Sequence, residues 1–136
     1  MADSIDSFEA FWPYYVRAHQ NPTSRVLHAI GTSLGVTTAL AAVLTRRARL
    51  VPLALVLGYG PAWVGHFVFE GNRPATFGHP LWSLRGDFKM LSLMLRGEME
   101  AELARVNAAA AQAEASSVSA SADSPENPAD SDHNIN

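Results

Sequence analysis

The sequence has no cysteine, a single lysine, and a C-terminal fifth without any Lys or Arg. Without cysteine, disulfides, thiolate nucleophiles and thiolate metal ligands are all excluded. Ten basic residues against thirteen acidic ones give a formal net charge of −3, and they form no basic cluster of the kind nucleic acid requires, so no nucleic-acid partner is expected. The charge is unevenly placed. Residues 1–106 hold all ten basic and eight of the acidic residues, whereas residues 107–136 hold five acidic residues and no Lys or Arg. The local zinc signature HExxH is also missing. The first 25 residues open acidic, "MADSIDSFEAF", and lack a basic leader followed by an apolar run. Membrane insertion is therefore expected to use internal segments.

What is present is mostly helical pattern. At 136 residues the chain is expected to form one domain, residues 1–106, with a disordered acidic tail over 107–136. The tail is low in complexity and contains His133, to which no role is given. "DSFEAFWPYYVRAH" reads as an amphipathic helix. Asp6 is its expected cap and Glu9 the reciprocal partner, with Phe8, Phe11, Trp12 and Tyr15 on one face. Asn21 then caps a second helix that opens on Pro22.

Two stretches carry no formal charge, Val26–Thr45 and Leu50–Phe69, each twenty residues long and separated by "RRAR". As helices each reaches roughly 30 Å, the thickness of a hydrocarbon layer. The fold class expected is all-α: a small helical membrane protein with a transmembrane hairpin and flanking amphipathic helices. Gly31 and Gly35 offer a small-residue contact within it. A soluble bundle with two buried helices is the competing reading. Further on, "EGNRPATFGHP" reads as a structured loop. A helical pattern then returns, with Leu84, Phe88, Leu91 and Leu95 as its apolar stripe and Gly86 and Gly97 as interruptions.

The hairpin makes a geometric prediction. His28 lies just inside the start of the first run and His66 just before the end of the second, with His19 and His79 flanking them. All four then gather at one membrane face, opposite "RRAR". Neutral imidazole is a common ligand for zinc and iron. Glu70, four residues after His66, shares its helical face and could act as a ligand, a base or an acceptor for an imidazole N–H. Arg46, Arg47 and Arg49 mark one end of the hairpin, and Arg17, Arg25, Arg73, Arg85 and Lys89 the other. That balance places the termini and the histidine end on the cytoplasmic side.

Two blocks, "FWPYYVRAHQNPTSRVLHAIGT" and "PAWVGHFVFEGNRPATFGHPLWSLRGDFKM", resemble the Mpo1-like family, also called DUF962; with the apolar stretch between them they span roughly residues 8–95. The resemblance implies an Fe(II)-dependent dioxygenase of the endoplasmic-reticulum membrane type, which shortens 2-hydroxy fatty acids by one carbon in alpha-oxidation. It implies Fe(2+) as cofactor, held by His19, His28, His66 and His79. The implied partners are a long-chain 2-hydroxy fatty acid, molecular oxygen and membrane lipid, and an oligomer is compatible with the pattern. Arg73 or Arg25 would then balance the substrate carboxylate, and Glu70 and Asp87 would orient ligand histidines or assist proton transfer. The expected location is the cytoplasmic membrane in a bacterium and the endoplasmic reticulum in a eukaryote. Two other readings stay open: another metal-dependent lipid enzyme such as a zinc hydrolase, and a noncatalytic lipid-binding scaffold.

Overall fold

The computed structural model describes residues 5–122, which form five α-helices, a π-helical segment and a 3₁₀ turn, with no strand among the described residues. The fold is all-α, as the sequence implies.

Helix α1 (Phe8–Arg17) is capped by Ser7, whose Oγ accepts from the Ala10 N–H at 3.1 Å. This corrects the expected cap by one residue. Serine caps as well as aspartate, and a start at Phe8 turns Phe8, Phe11, Trp12, Tyr15 and Val16 together into the interior.

Helix α2 (Pro22–Thr45) begins as expected: Asn21 Oδ1 accepts from the Thr23 N–H at 2.9 Å and Pro22 occupies the first turn. It ends at Arg46, whose φ of 53° is left-handed, and the Arg47 N–H returns to the Ala42 carbonyl at 3.0 Å. The chain reverses within "RRAR" and enters α3 (Leu50–Val64). The two helices touch through glycine. A Cβ on Gly35 would lie 3.0 Å from the Gly58 Cα, and one on Gly31 would collide with the Gly58 carbonyl oxygen. The small-residue pair thus sets the closeness of the hairpin.

Both arms are long and apolar enough to cross a membrane: Pro22–Thr45, and Leu50–Glu70 when α3 and its π-helical continuation are taken together. Only 17% and 22% of their most apolar windows are buried, so most of this surface is left outward. Val43, Leu44, Val56 and Val68 are among the exposed side chains.

Helix α4 (Pro80–Leu95) corrects the expected stripe. Its buried side is Ser83, Gly86, Asp87, Met90 and Leu93, whereas Leu84, Phe88 and Leu95 face outward. That side is small at Gly86 and polar at Asp87, where it meets Tyr15 and His28. A Cβ on Gly86 would stand 2.9 Å from the Tyr15 ring, so Gly86 is a packing contact and does not interrupt the helix. Gly97, at φ 70°, does make the break before α5 (Met99–Ala122).

Met99, Leu103 and Val106 of α5 join the aromatic side of α1 and Met90 and Leu93 of α4 in the main core. This core sits across the histidine end of the hairpin. Val106 is the last buried residue described. In place of the irregular chain expected from residue 107, the helix runs on to Ala122; "AAAAQAEA" has high helix propensity and continues an established helix without needing a core. The remainder of the expected tail, with His133, lies outside the described residues.

Candidate metal centre

Three histidines converge from three separate parts of the chain. His19 follows α1, His28 lies in the second turn of α2, and His66 stands near the start of the π-helical segment Gly65–Glu70. That segment continues α3 beyond Pro61, which has no N–H to give to the helical ladder. π-Helical turns recur at functional sites because the wider register re-aims side chains. Gly71 then turns left-handed at φ 66° and the Asn72 N–H closes on the His66 carbonyl at 3.1 Å. Gly65 brings this segment against α2: a Cβ there would lie 2.8 Å from Ser24 Oγ, a buried hydroxyl without a hydrogen-bond partner.

The three rings are buried, with relative exposures of 0% for His19, 4% for His28 and 2% for His66. Their centroids are 4.4, 4.7 and 4.9 Å apart and their planes cross at 83°, 70° and 87°. One nitrogen from each lies within 4.8 Å of the others.

The tautomers follow from the partners. His19 Nδ1 is 2.6 Å from the Tyr15 carbonyl, His28 Nδ1 is 3.0 Å from Asp87 Oδ1, and His66 Nδ1 is 2.7 Å from Asn72 Oδ1. The Asn72 amide is oriented by its own Nδ2, which donates to the Ala18 carbonyl at 3.0 Å. All three partners are acceptors, so each Nδ1 carries the proton and each Nε2 keeps a lone pair. His19 Nε2 and His28 Nε2 nevertheless face each other at 3.2 Å. Two lone pairs at that distance repel, and a cation held between them would relieve this. The donor set therefore fits a metal ion on chemical grounds, with every ligand held from behind by a hydrogen-bond acceptor.

Electrostatics agree. Burial, and next the neighbouring His28, push His19 well below the usual imidazole range, which favours the neutral ligand form. Tyr15 is driven well above the ordinary phenol range by burial and then by Asp87, so its hydroxyl stays protonated and donates to Asp87. Tyr15 also stacks on His19 at 4.0 Å between centroids, and Trp12 stacks on Tyr15 at 5.6 Å. Beyond them, Trp12 Nε1 donates to Glu102 at 2.6 Å, which ties the ring ladder to α5.

With this geometry, the comparison with known families is decisive. The family model described as 2-hydroxy-palmitic acid dioxygenase Mpo1-like matches residues 5–99. The chain belongs to the Mpo1-like family. The match covers every element that supplies a histidine to the centre, as well as α4 with Asp87. No curated protein and no solved structure matches the chain.

The other residues singled out in this Mpo1-like sequence occupy different places. His79 is not brought to the three: it stands before the first turn of α4, stacked on Trp82 at 5.1 Å and edge-on to Phe11 at 5.5 Å. Glu70 accepts from the Asn21 N–H at 2.8 Å and so fastens the π-helical segment to the start of α2. Arg25 is buried and donates to the His19 and Gln20 carbonyls at 3.1 and 2.7 Å and to Glu100 at 2.5 Å. It fixes the loop that carries His19. Arg73 is exposed over the Phe77 ring, 5.7 Å from its centroid. Asp87 alone of this set bonds a histidine ring of the centre.

Sequence reasoning missed Tyr15 and Asn72. The sequence pattern shows Tyr15 only as part of an aromatic face, although its spacing of four from His19 puts both on one side of a helical turn. Asn72 lies six residues after His66, a spacing that brings the two together only because the intervening helix is wider than an α-helix.

Proposed function

We propose that this protein is an Fe(II)-dependent dioxygenase that shortens 2-hydroxy fatty acids by one carbon at a membrane surface. The single observation that carries the reading is the buried set of His19, His28 and His66, each with Nδ1 held by an acceptor and Nε2 left for a metal, in a chain of the Mpo1-like family. Three histidines also suit zinc; the family match favours iron.

Bound iron would supply a Lewis-acidic, redox-active centre able to hold a 2-hydroxy carboxylate and use molecular oxygen. The balance is complete without a further reductant. One 2-hydroxy acid and one oxygen molecule give a fatty acid one carbon shorter, one carbon dioxide and one water, with the C1–C2 bond broken.

The chain's own residues divide the remaining work. Asp87 and Tyr15 position His28, the Tyr15 carbonyl positions His19, and Asn72 positions His66. Of the two arginines, Arg25 is occupied with the His19 loop and Glu100, so the exposed Arg73 is proposed to meet the substrate carboxylate. Glu70 is proposed to act through the backbone of Asn21 and not as a ligand. His79 is proposed to lie outside the metal set.

The exposed apolar arms support a hairpin that crosses the bilayer, with the histidine end and the termini on the cytoplasmic side. A substrate chain can then stay in lipid while its polar end reaches the centre. Oxygen consumption by the detergent-purified, iron-loaded protein tests the reading. Stoichiometric uptake with 2-hydroxypalmitate and release of a fifteen-carbon acid are expected, and iron-replete protein that leaves long-chain 2-hydroxy acids unchanged would overturn it.

A further inference from the structure

An apolar groove of about 250 Å³ runs along the hairpin where α2, α3 and α4 meet. Its α2 wall is Thr32, Gly35, Val36 and Ala39; its α3 wall includes Ala54, Leu55 and Gly58; Leu84 and Phe88 of α4 lie across it. The same glycine pair that brings the arms together keeps this floor low. Val36 and Leu55 are 45% and 56% exposed, so the groove opens sideways along the arm rather than toward the loops.

One end of the groove is tied to the metal centre. Asp87 lines it, and Asp87 is the residue bonded to His28 Nδ1. Thr32, also in the lining, is one helical turn beyond His28 on the same face of α2. From there the α2 wall continues for seven residues to Ala39, roughly 10 Å of helical rise. No cation lines the groove, so it suits the apolar part of a ligand and leaves the charged part to the histidine end.

The lining is apolar apart from Thr32, Tyr59 and Asp87, and the volume suits a single alkyl chain: the space equals about eight groups of water's size, close to that of a methylene. We propose that this groove is the acyl-chain site for the 2-hydroxy acid, entered from the lipid side, and that Val36 and Ala39 set the length of chain accepted. The inference rests on the function proposed above and deepens it.

The test uses full-length protein in lipid nanodiscs. Palmitate carrying a terminal diazirine is photolysed on metal-free protein, and the labelled peptides are sequenced by mass spectrometry. Label within 32–39 and 54–59 is expected, and its loss in Ala39→Phe. In parallel, kcat/KM is compared for 2-hydroxypalmitate and 2-hydroxybutanoate, whose chain is too short to reach Val36 or Ala39. The long-to-short ratio is expected to fall about tenfold or more in Val36→Phe and Ala39→Phe, as blocked methylene subsites predict. Leu40→Phe, on an exposed residue outside the lining, should keep the ratio. Label confined to other parts of the surface, or a ratio unmoved by both groove variants, would overturn the groove. Wild-type protein that consumes no oxygen with either acid would overturn the catalytic reading instead, and the labelling pattern still decides the groove.

Discussion

Asp87 Oδ1 lies 3.0 Å from His28 Nδ1 and also accepts the Tyr15 hydroxyl, although Asp87 is 59 positions from His28 and 72 from Tyr15. One buried carboxylate thus connects α1, α2 and α4 at the point where the histidines meet. It fixes the His28 tautomer and lies behind a ring whose Nε2 would hold the metal.

Asp87→Asn is expected to weaken iron binding by about 10–100-fold, the usual range for loss of an outer partner of a ligating histidine. Tyr15→Phe should weaken it less, because the carboxylate remains. Competition with a graded chelator series measures both. Equal affinity in wild type and Asp87→Asn would remove Asp87 from the positioning role.

Gly86→Ala is expected to act through packing. The new methyl would meet the Tyr15 ring at 2.9 Å, between the backbone of α4 and the ladder that ends at His19. Overpacking of this kind costs about 1–3 kcal/mol. Thermal unfolding in detergent should show a lower midpoint together with weaker iron retention.

Gly31→Ala addresses the hairpin instead. Its methyl would collide with the Gly58 carbonyl, which is backbone and cannot swing away. A loss of about 1–3 kcal/mol is expected here as well. Because His28 and His66 ride on the two arms, iron retention should fall with it. A variant as stable and as iron-rich as wild type would show that the arms separate without cost.

The contact between α1 and α5 has a pH limit of its own. The hydrogen bond from Arg105, supported by that from Trp12 Nε1, holds Glu102 down at about 2. Its folded value is depressed, so its stabilisation is fully present above the ordinary glutamate range and is lost as pH falls through about 2. Acid unfolding followed by tryptophan fluorescence should therefore depend less steeply on pH between those values in Glu102→Gln. An unchanged acid limb would assign acid sensitivity to other groups.

Much of this was legible from local pattern. Asn21 and Pro22 marked the start of α2 because capping chemistry is short-range, and two charge-free runs around "RRAR" marked the hairpin. That His28 and His66 share an end follows from a chain that enters and returns. Other features depend on contacts no spacing reveals. The α4 stripe of Leu84, Phe88 and Leu95 turned outward because lipid-compatible surface and protein core are both apolar, and periodicity cannot tell which side faces which. His79 sits beside the others in sequence logic, but Trp82 and Phe11 hold its ring. Asn72 reaches His66 only through a π-helical register, and a sequence read in α-helical steps misplaces it.

The most direct measurement is the metal content of protein purified in detergent after anaerobic iron loading. The account predicts close to one iron per chain, lost in His19→Ala, His28→Ala and His66→Ala and kept in His79→Ala. Protein that stays metal-free after loading, or that loses iron only when His79 is replaced, would contradict it.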